Sequence, residues 1–213
     1  MSAFLTRLVA RATAALTART AASRTAASPA GDGVVRVTLH GIPVEVRNTR
    51  ADIETPQVLA RLEEALALIA THQPWRLAHL RRDVRAIRVE RLACRGAFVP
   101  GDSTIITELT FLARRDISAA PVASSIVHEG VHARVHAMGV YRAAGELPRE
   151  ERLCRRAELA FGEALPADLG APVIERARAS LALTDREVAP AVDWHEAQRR
   201  QNDVDRTAHR RAT

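Results

Sequence analysis

Within residues 124–136, SSIVHEGVHARVH, three histidines stand four apart, His128, His132 and His136, and Glu129 follows the first. Residues four apart on a helix lie one turn above each other on the same face. Two imidazoles so placed can meet one Zn²⁺ at ~2.0–2.1 Å each. The Glu129 carboxylate then sits beside the ion rather than on it. There it can take a proton from an attacking water and hand it to a leaving amine. A third histidine in the row cannot join, because eight residues of straight helix span ~12 Å at 1.5 Å per residue. His136 is therefore expected to support the ligands or to sit partly buried in the core.

A catalytic zinc takes three protein ligands and keeps one position open. The next helical stretch, LPREERLCRRAELAFGEAL, offers Glu151 and, two turns on, Glu158, with Glu150 adjoining. Glu158 has Ala157, Leu159, Ala160 and Phe161 around it in sequence. A glutamate there needs a partner, which a metal or a metal-ligating histidine could supply. Cys154, one turn past Glu151, reads as packing. A motif as short as H-E-x-x-H can arise by chance, so its context matters. Here it lies on a helical stretch with Ile126, Val127, Val131, Val135 and Met138 as apolar residues, after a set of strands and before the helix with further ligands.

In these features residues 85–165 resemble the zinc metallopeptidases of the gluzincin type, which place H-E-x-x-H on one helix and a ligand glutamate on the next. The resemblance implies that His128 and His132 hold zinc and that Glu129 is the general base on a zinc-bound water. It matches Glu151, after an eighteen-residue gap from His132, to the third ligand. Glu158 stays open as the alternative ligand or as a partner of a ligating histidine. The segment GAFVPGDSTIITE resembles the sheet edge of small zincins, along which substrate lies extended. The metzincin pattern needs a third histidine where Met138 stands. Peptide deformylases take a cysteine ligand from a preceding strand, but Cys94 lacks their surrounding sequence. Tyr141, the only tyrosine, and His195 are candidates for stabilising an oxyanion opposite the zinc. The implied function is hydrolysis of peptide or protein amide bonds. The alternative is a non-catalytic regulatory or interaction domain that keeps the zincin fold and its zinc site.

The elements that must position these residues follow from patterning. Residues 34–48 alternate Val35, Val37 and Leu39, turn at Gly41-Ile42-Pro43 and resume with Val44 and Val46, which predicts a β-hairpin. Residues 55–72 predict an amphipathic helix, with Thr55 as N-cap, Pro56 at the first helical position and Leu59, Leu62, Leu66 and Ile69 at helical spacing. Residues 84–93 read as a strand, and 95–113 as two strands joined at Pro100-Gly101-Asp102. Helices are expected over 118–138, 149–164 and 171–183. Hairpin, helix, strands and then helices is an α+β order, a small zincin-like domain over 34–195. With aromatic residues at 3% of the chain, its core must be Ala, Val, Leu and Ile. Trp75 and Trp194 are expected to anchor packing.

Charge and composition narrow the partners. The chain has 213 residues, carries a formal +6 and contains no lysine, so every strong base is arginine. Residues 1–33 and 199–213 each carry +3, leaving 34–198 neutral. A nucleic-acid enzyme usually places its basic stripe on the folded domain, so no nucleic-acid partner is expected, and the partner is a peptide or protein substrate. Residues 1–33 read as a flexible basic tail, whose amphipathic face through Phe4, Leu5, Leu8 and Leu16 would also suit contact with a membrane surface. Residues 196–213 read as a polar tail that frays. No run approaches the ~18–20 apolar residues of a membrane span. Two cysteines with no CxxC spacing form no disulfide framework and fit a reducing compartment such as the cytoplasm.

Overall fold

The structure, a computed structural model, describes residues 25–29, 33–140, 147–189 and 194–212. Six strands form one mixed sheet: β1 (Thr25–Pro29), β2 (Val34–Leu39), β3 (Ile42–Arg47), β4 (Ala86–Glu90), β5 (Gly96–Val99) and β6 (Thr104–Glu108). Their order is β1-β2-β3-β4-β6-β5, with β3, β4 and β6 parallel and the pairs β1/β2, β2/β3 and β5/β6 antiparallel. Alternation decides the two faces. Val44, Ile87 and Ile105 stand in register across β3, β4 and β6 and are buried. The intervening Glu45 and Arg88 are paired instead, in a ladder of ions from Arg36 through Glu45 and Arg88 to Asp102. One apolar and one charged face means that the helices gather on one side.

Those helices are α1 (Thr55–His72), α2 (Pro74–Asp83), α3 (Leu109–Ala113), α4 (Ala120–Ala137), α5 (Leu147–Ala164), α6 (Ala167–Leu181), α7 (Asp185–Val188) and α8 (Trp194–Ala212). α1 buries Val58, Leu62, Ala65, Leu66 and Ile69, a stripe at helical spacing. α4 is the central helix: it touches α1 and α2, β5 and β6, and the hairpin of α5 and α6. Its burial runs almost without break from Ala120 to Glu129. The α5–α6 hairpin closes where a side chain on Gly170 would meet the Gly162 carbonyl oxygen at 2.3 Å, so the two backbones touch. As expected, the core is aliphatic, with Phe161 the one aromatic among its largest fully buried side chains.

The α+β class, the hairpin and the helix over 55–72 agree with the expectations. Elsewhere the structure differs. The hairpin turns at His40 and Gly41, both with positive φ (49° and 78°), and Pro43 lies inside β3 rather than in the turn. This is the backbone that a two-residue turn between twisted strands requires. The strand expected to run to residue 113 stops at Glu108. The Glu108 carboxylate accepts the Phe111 N–H at 2.7 Å and caps α3. α2 escaped notice because only Leu77 and Leu80 face inward. α6 begins at Ala167, four residues before the expected start, and tolerates Pro172 inside it.

The C-terminal segment is helical through Ala212. It forms α8, where Asp205 pairs with Arg50 and Arg91, and Arg91 also pairs with Glu108. Residues 25–29 of the expected N-terminal tail form β1 against β2. The remainder of that tail, with its amphipathic face, lies outside the described residues. Trp75 is 51% exposed, with Arg76 over its ring, and does not anchor the core. Trp194 starts α8. No helix of the described residues is long and apolar enough to cross a membrane.

Gly170→Ala would force α5 and α6 apart, an overpacking that costs ~1–3 kcal/mol. Thermal denaturation of this variant is expected to show a melting temperature lower by about 2–4 °C per kcal/mol.

Candidate metal centre

α4 presents His128 and His132 one turn apart towards α5, and both rings are buried. Their Nε2 atoms lie 3.2 Å from each other. Glu151 reaches across from α5, with one oxygen 3.2 Å from His128 Nε2 and the other 3.3 Å from His132 Nε2. Tetrahedral bonds of ~2.0–2.1 Å put neighbouring donors roughly 3.3 Å apart. The two Nε2 atoms and the Glu151 carboxylate therefore converge on one point, each Glu151 oxygen beside one ring.

The far side of each ring is held by a second carboxylate. His128 Nδ1 lies 2.6 Å from Glu158 Oε1 and His132 Nδ1 lies 2.5 Å from Glu150 Oε1. With a carboxylate at Nδ1, each Nδ1–H donates outward and each Nε2 edge faces the common point. Glu158 is itself fixed by Ser124 Oγ at 3.2 Å and by Arg155 at 2.6 Å.

The charges follow from this arrangement. Burial works against a charged His128, but Glu151 and Glu158 outweigh it and lift the imidazole to about 9. His132 is raised in the same way, with Glu151 and Glu129 overcoming its burial. Burial pushes the Glu151 carboxyl up, yet the two histidines hold it well below its usual range. Glu129, by contrast, is raised chiefly by burial.

A fourth donor stands close by. Cys154 Sγ lies 3.4 Å from His132 Nε2, and His128, His132 and Cys154 are near enough together to hold a metal ion. Cys154 is thus part of the cluster rather than simple packing. Burial, with Glu151, Glu129 and Glu150 nearby, drives its thiol far upward and keeps it neutral. A metal that bound the sulfur would displace its proton, so Glu151 and Cys154 both stand as candidates for the third donor.

The centre opens into a cleft of 830 Å³. Its walls are β5 on one side and α5, α6 and the end of α7 on the other. Glu129 lies against β5, where it accepts a hydrogen bond from the Phe98 backbone N–H. A side chain on Gly96 would meet the Glu129 carboxylate at 3.3 Å, so this strand must approach without one.

The expected residues fare unequally. His128, Glu129, His132, Glu151 and Glu158 come together; Glu158 contacts His128 Nδ1, on the ring edge away from Glu151. His136 is neither buried nor near the ligands: it is exposed, two turns past His128, with its ring 5.7 Å from that of Phe98. His195 is exposed on α8 and does not line the cleft. Tyr141 lies outside the described residues. Glu150 and Cys154 were not expected as parts of the cluster. The signal for them was the helical spacing that puts Glu150, Cys154 and Glu158 four apart on one face of α5.

Metal analysis of purified variants separates the donors. Glu151→Ala is expected to lose zinc, while Cys154→Ser keeps it. Glu150→Ala and Glu158→Ala should weaken binding ~10–100-fold by freeing the rings they hold. Loss of zinc from Cys154→Ser but not from Glu151→Ala would make the cysteine the ligand. The chain matches no protein-family model, no curated protein and no solved structure, so the reading of this centre rests on its geometry.

Proposed function

We infer that the protein hydrolyses peptide or protein amide bonds, using a zinc ion held by His128, His132 and Glu151. The observation that carries this reading is the convergence of His128 Nε2, His132 Nε2 and the two Glu151 oxygens at 3.2–3.3 Å, beside the buried Glu129 carboxylate in a cleft. Zinc held there would polarise the scissile carbonyl and lower the pKa of the attacking water.

The chain's own groups supply the rest. Glu129, raised by burial, is suited to take the proton of the attacking water and to return it to the leaving nitrogen. Glu150 and Glu158 keep both imidazoles in one tautomer and one orientation. β5 is an edge strand with Gly96 and Ala97 in the cleft wall. A substrate in extended form can add to such an edge by main-chain hydrogen bonds, which favours peptide as the substrate class.

One observation favours a second reading. If Cys154 joined the other three donors, the metal would have four protein ligands and no open position, as in structural sites. The protein would then be a non-catalytic zincin-like domain with a stabilising or regulatory metal.

Glu129→Gln distinguishes the two. The amide is nearly isosteric, so zinc and fold should persist. Hydrolysis of an unfolded protein or peptide library, compared at equal zinc occupancy, should fall by at least ~10²–10⁴-fold. Equal rates would remove Glu129 as the base. No turnover by zinc-loaded wild type would leave the four-ligand reading. Gly96→Ala is expected to lower the rate as well without loss of zinc, since its methyl group would displace the Glu129 carboxylate.

A further inference from the structure

Arginine gathers at one end of the cleft. Arg95 precedes β5, Arg155 lies one turn past Glu151 on α5, and Arg176 comes from α6; all three line the same cleft as the histidines. Among the described residues, only Arg155 of the three has a carboxylate partner, Glu158 at 2.6 Å. That carboxylate is already committed to His128 and Ser124. The Arg155 Nε is buried and has no partner. Arg176 is half-buried and, among the described residues, makes no hydrogen bond or ion pair. Arg178, two residues on, shows the alternative: it is 67% exposed and pairs with Glu163.

A guanidinium removed from water is costly unless an anion accepts its N–H groups. Burial depresses Arg176, and Arg95 and Arg155 push the same way, against Glu158 alone. Three cations that repel one another are therefore held in a cleft with unused donors. The planar fork of arginine fits a carboxylate in bidentate fashion.

We propose that Arg176, with Arg155 beside it, forms an anion subsite that selects substrates bearing a carboxylate near the bond to be cut. The proposal rests on the hydrolase reading for the meaning of the bond, but not for the binding itself. The carboxylate is either an acidic side chain or the C-terminus of a peptide.

The test uses zinc-loaded Glu129→Gln protein and fluorescence anisotropy, with one labelled peptide sequence in several forms. One arm compares Glu with Gln at a scanned position. The other compares a free C-terminus with an amidated one. In one of the arms the carboxylate form should bind about 10- to 100-fold more tightly, the worth of a charge-assisted pair. That arm identifies the source. Arg176→Gln in the same background should abolish the ratio, Arg176→Lys should retain part of it, and Arg178→Gln should leave it unchanged. Circular dichroism checks that each variant is folded. Equal affinities for all peptides, binding of none, or a preference that survives Arg176→Gln overturns the subsite. Selective binding by a protein whose wild type cleaves no peptide keeps the subsite and removes the hydrolase reading. Cleavage by wild type without selectivity does the reverse.

Discussion

The centre of this protein is a charge problem. Glu129, Glu150 and Glu158 are buried, and Glu151 is partly buried, around two buried imidazoles. Isolated buried carboxylates are among the least stable arrangements in a protein, and they persist only when cations or donors compensate them. Here the two imidazoles and the donors around them compensate. A metal ion bound at this point would tie the conformation of α4 and α5 to its own binding.

The scaffold follows from that requirement. Two helices have to face each other closely enough for side chains on both to meet at one point. α4 is held from behind by α1 and α2 and from the side by β5 and β6. α5 is held by α6 through the contact at Gly162 and Gly170. The sheet keeps its charges on the opposite face, paired with one another, so its apolar face is free to support α4. Each layer removes one freedom from the ligands.

Much of the centre was legible because helical spacing is rigid. Four residues per step puts His128 over His132, and a single helix cannot supply three ligands, which sends the search to α5. The roles of the glutamates were less legible. Glu150, Glu151 and Glu158 differ in how they approach the rings, and that depends on the angle between two helices, which no local pattern encodes. Cys154 was read as packing because a lone thiol in an apolar helix face looks the same whether it borders a metal centre or a core. His136 was misplaced for a simpler reason. Its periodicity matches the ligands, but the cleft ends before the helix does. α8 was read as a frayed tail because its composition is polar, although one carboxylate, Asp205, gives it two fixed partners.

The position of β5 at the rim of the sheet has a consequence for self-association. A strand that can receive a guest peptide can equally receive the same strand of another copy, and open edges are how sheet proteins stick together. β5 limits the hazard by its construction. It is four residues long, Arg95 stands at its entry and Pro100 follows its end. A second copy would run out of pairing partners within about two or three hydrogen bonds. The same brevity would limit how much of any guest chain β5 could grip through the backbone, so that discrimination would fall to side chains around the cleft.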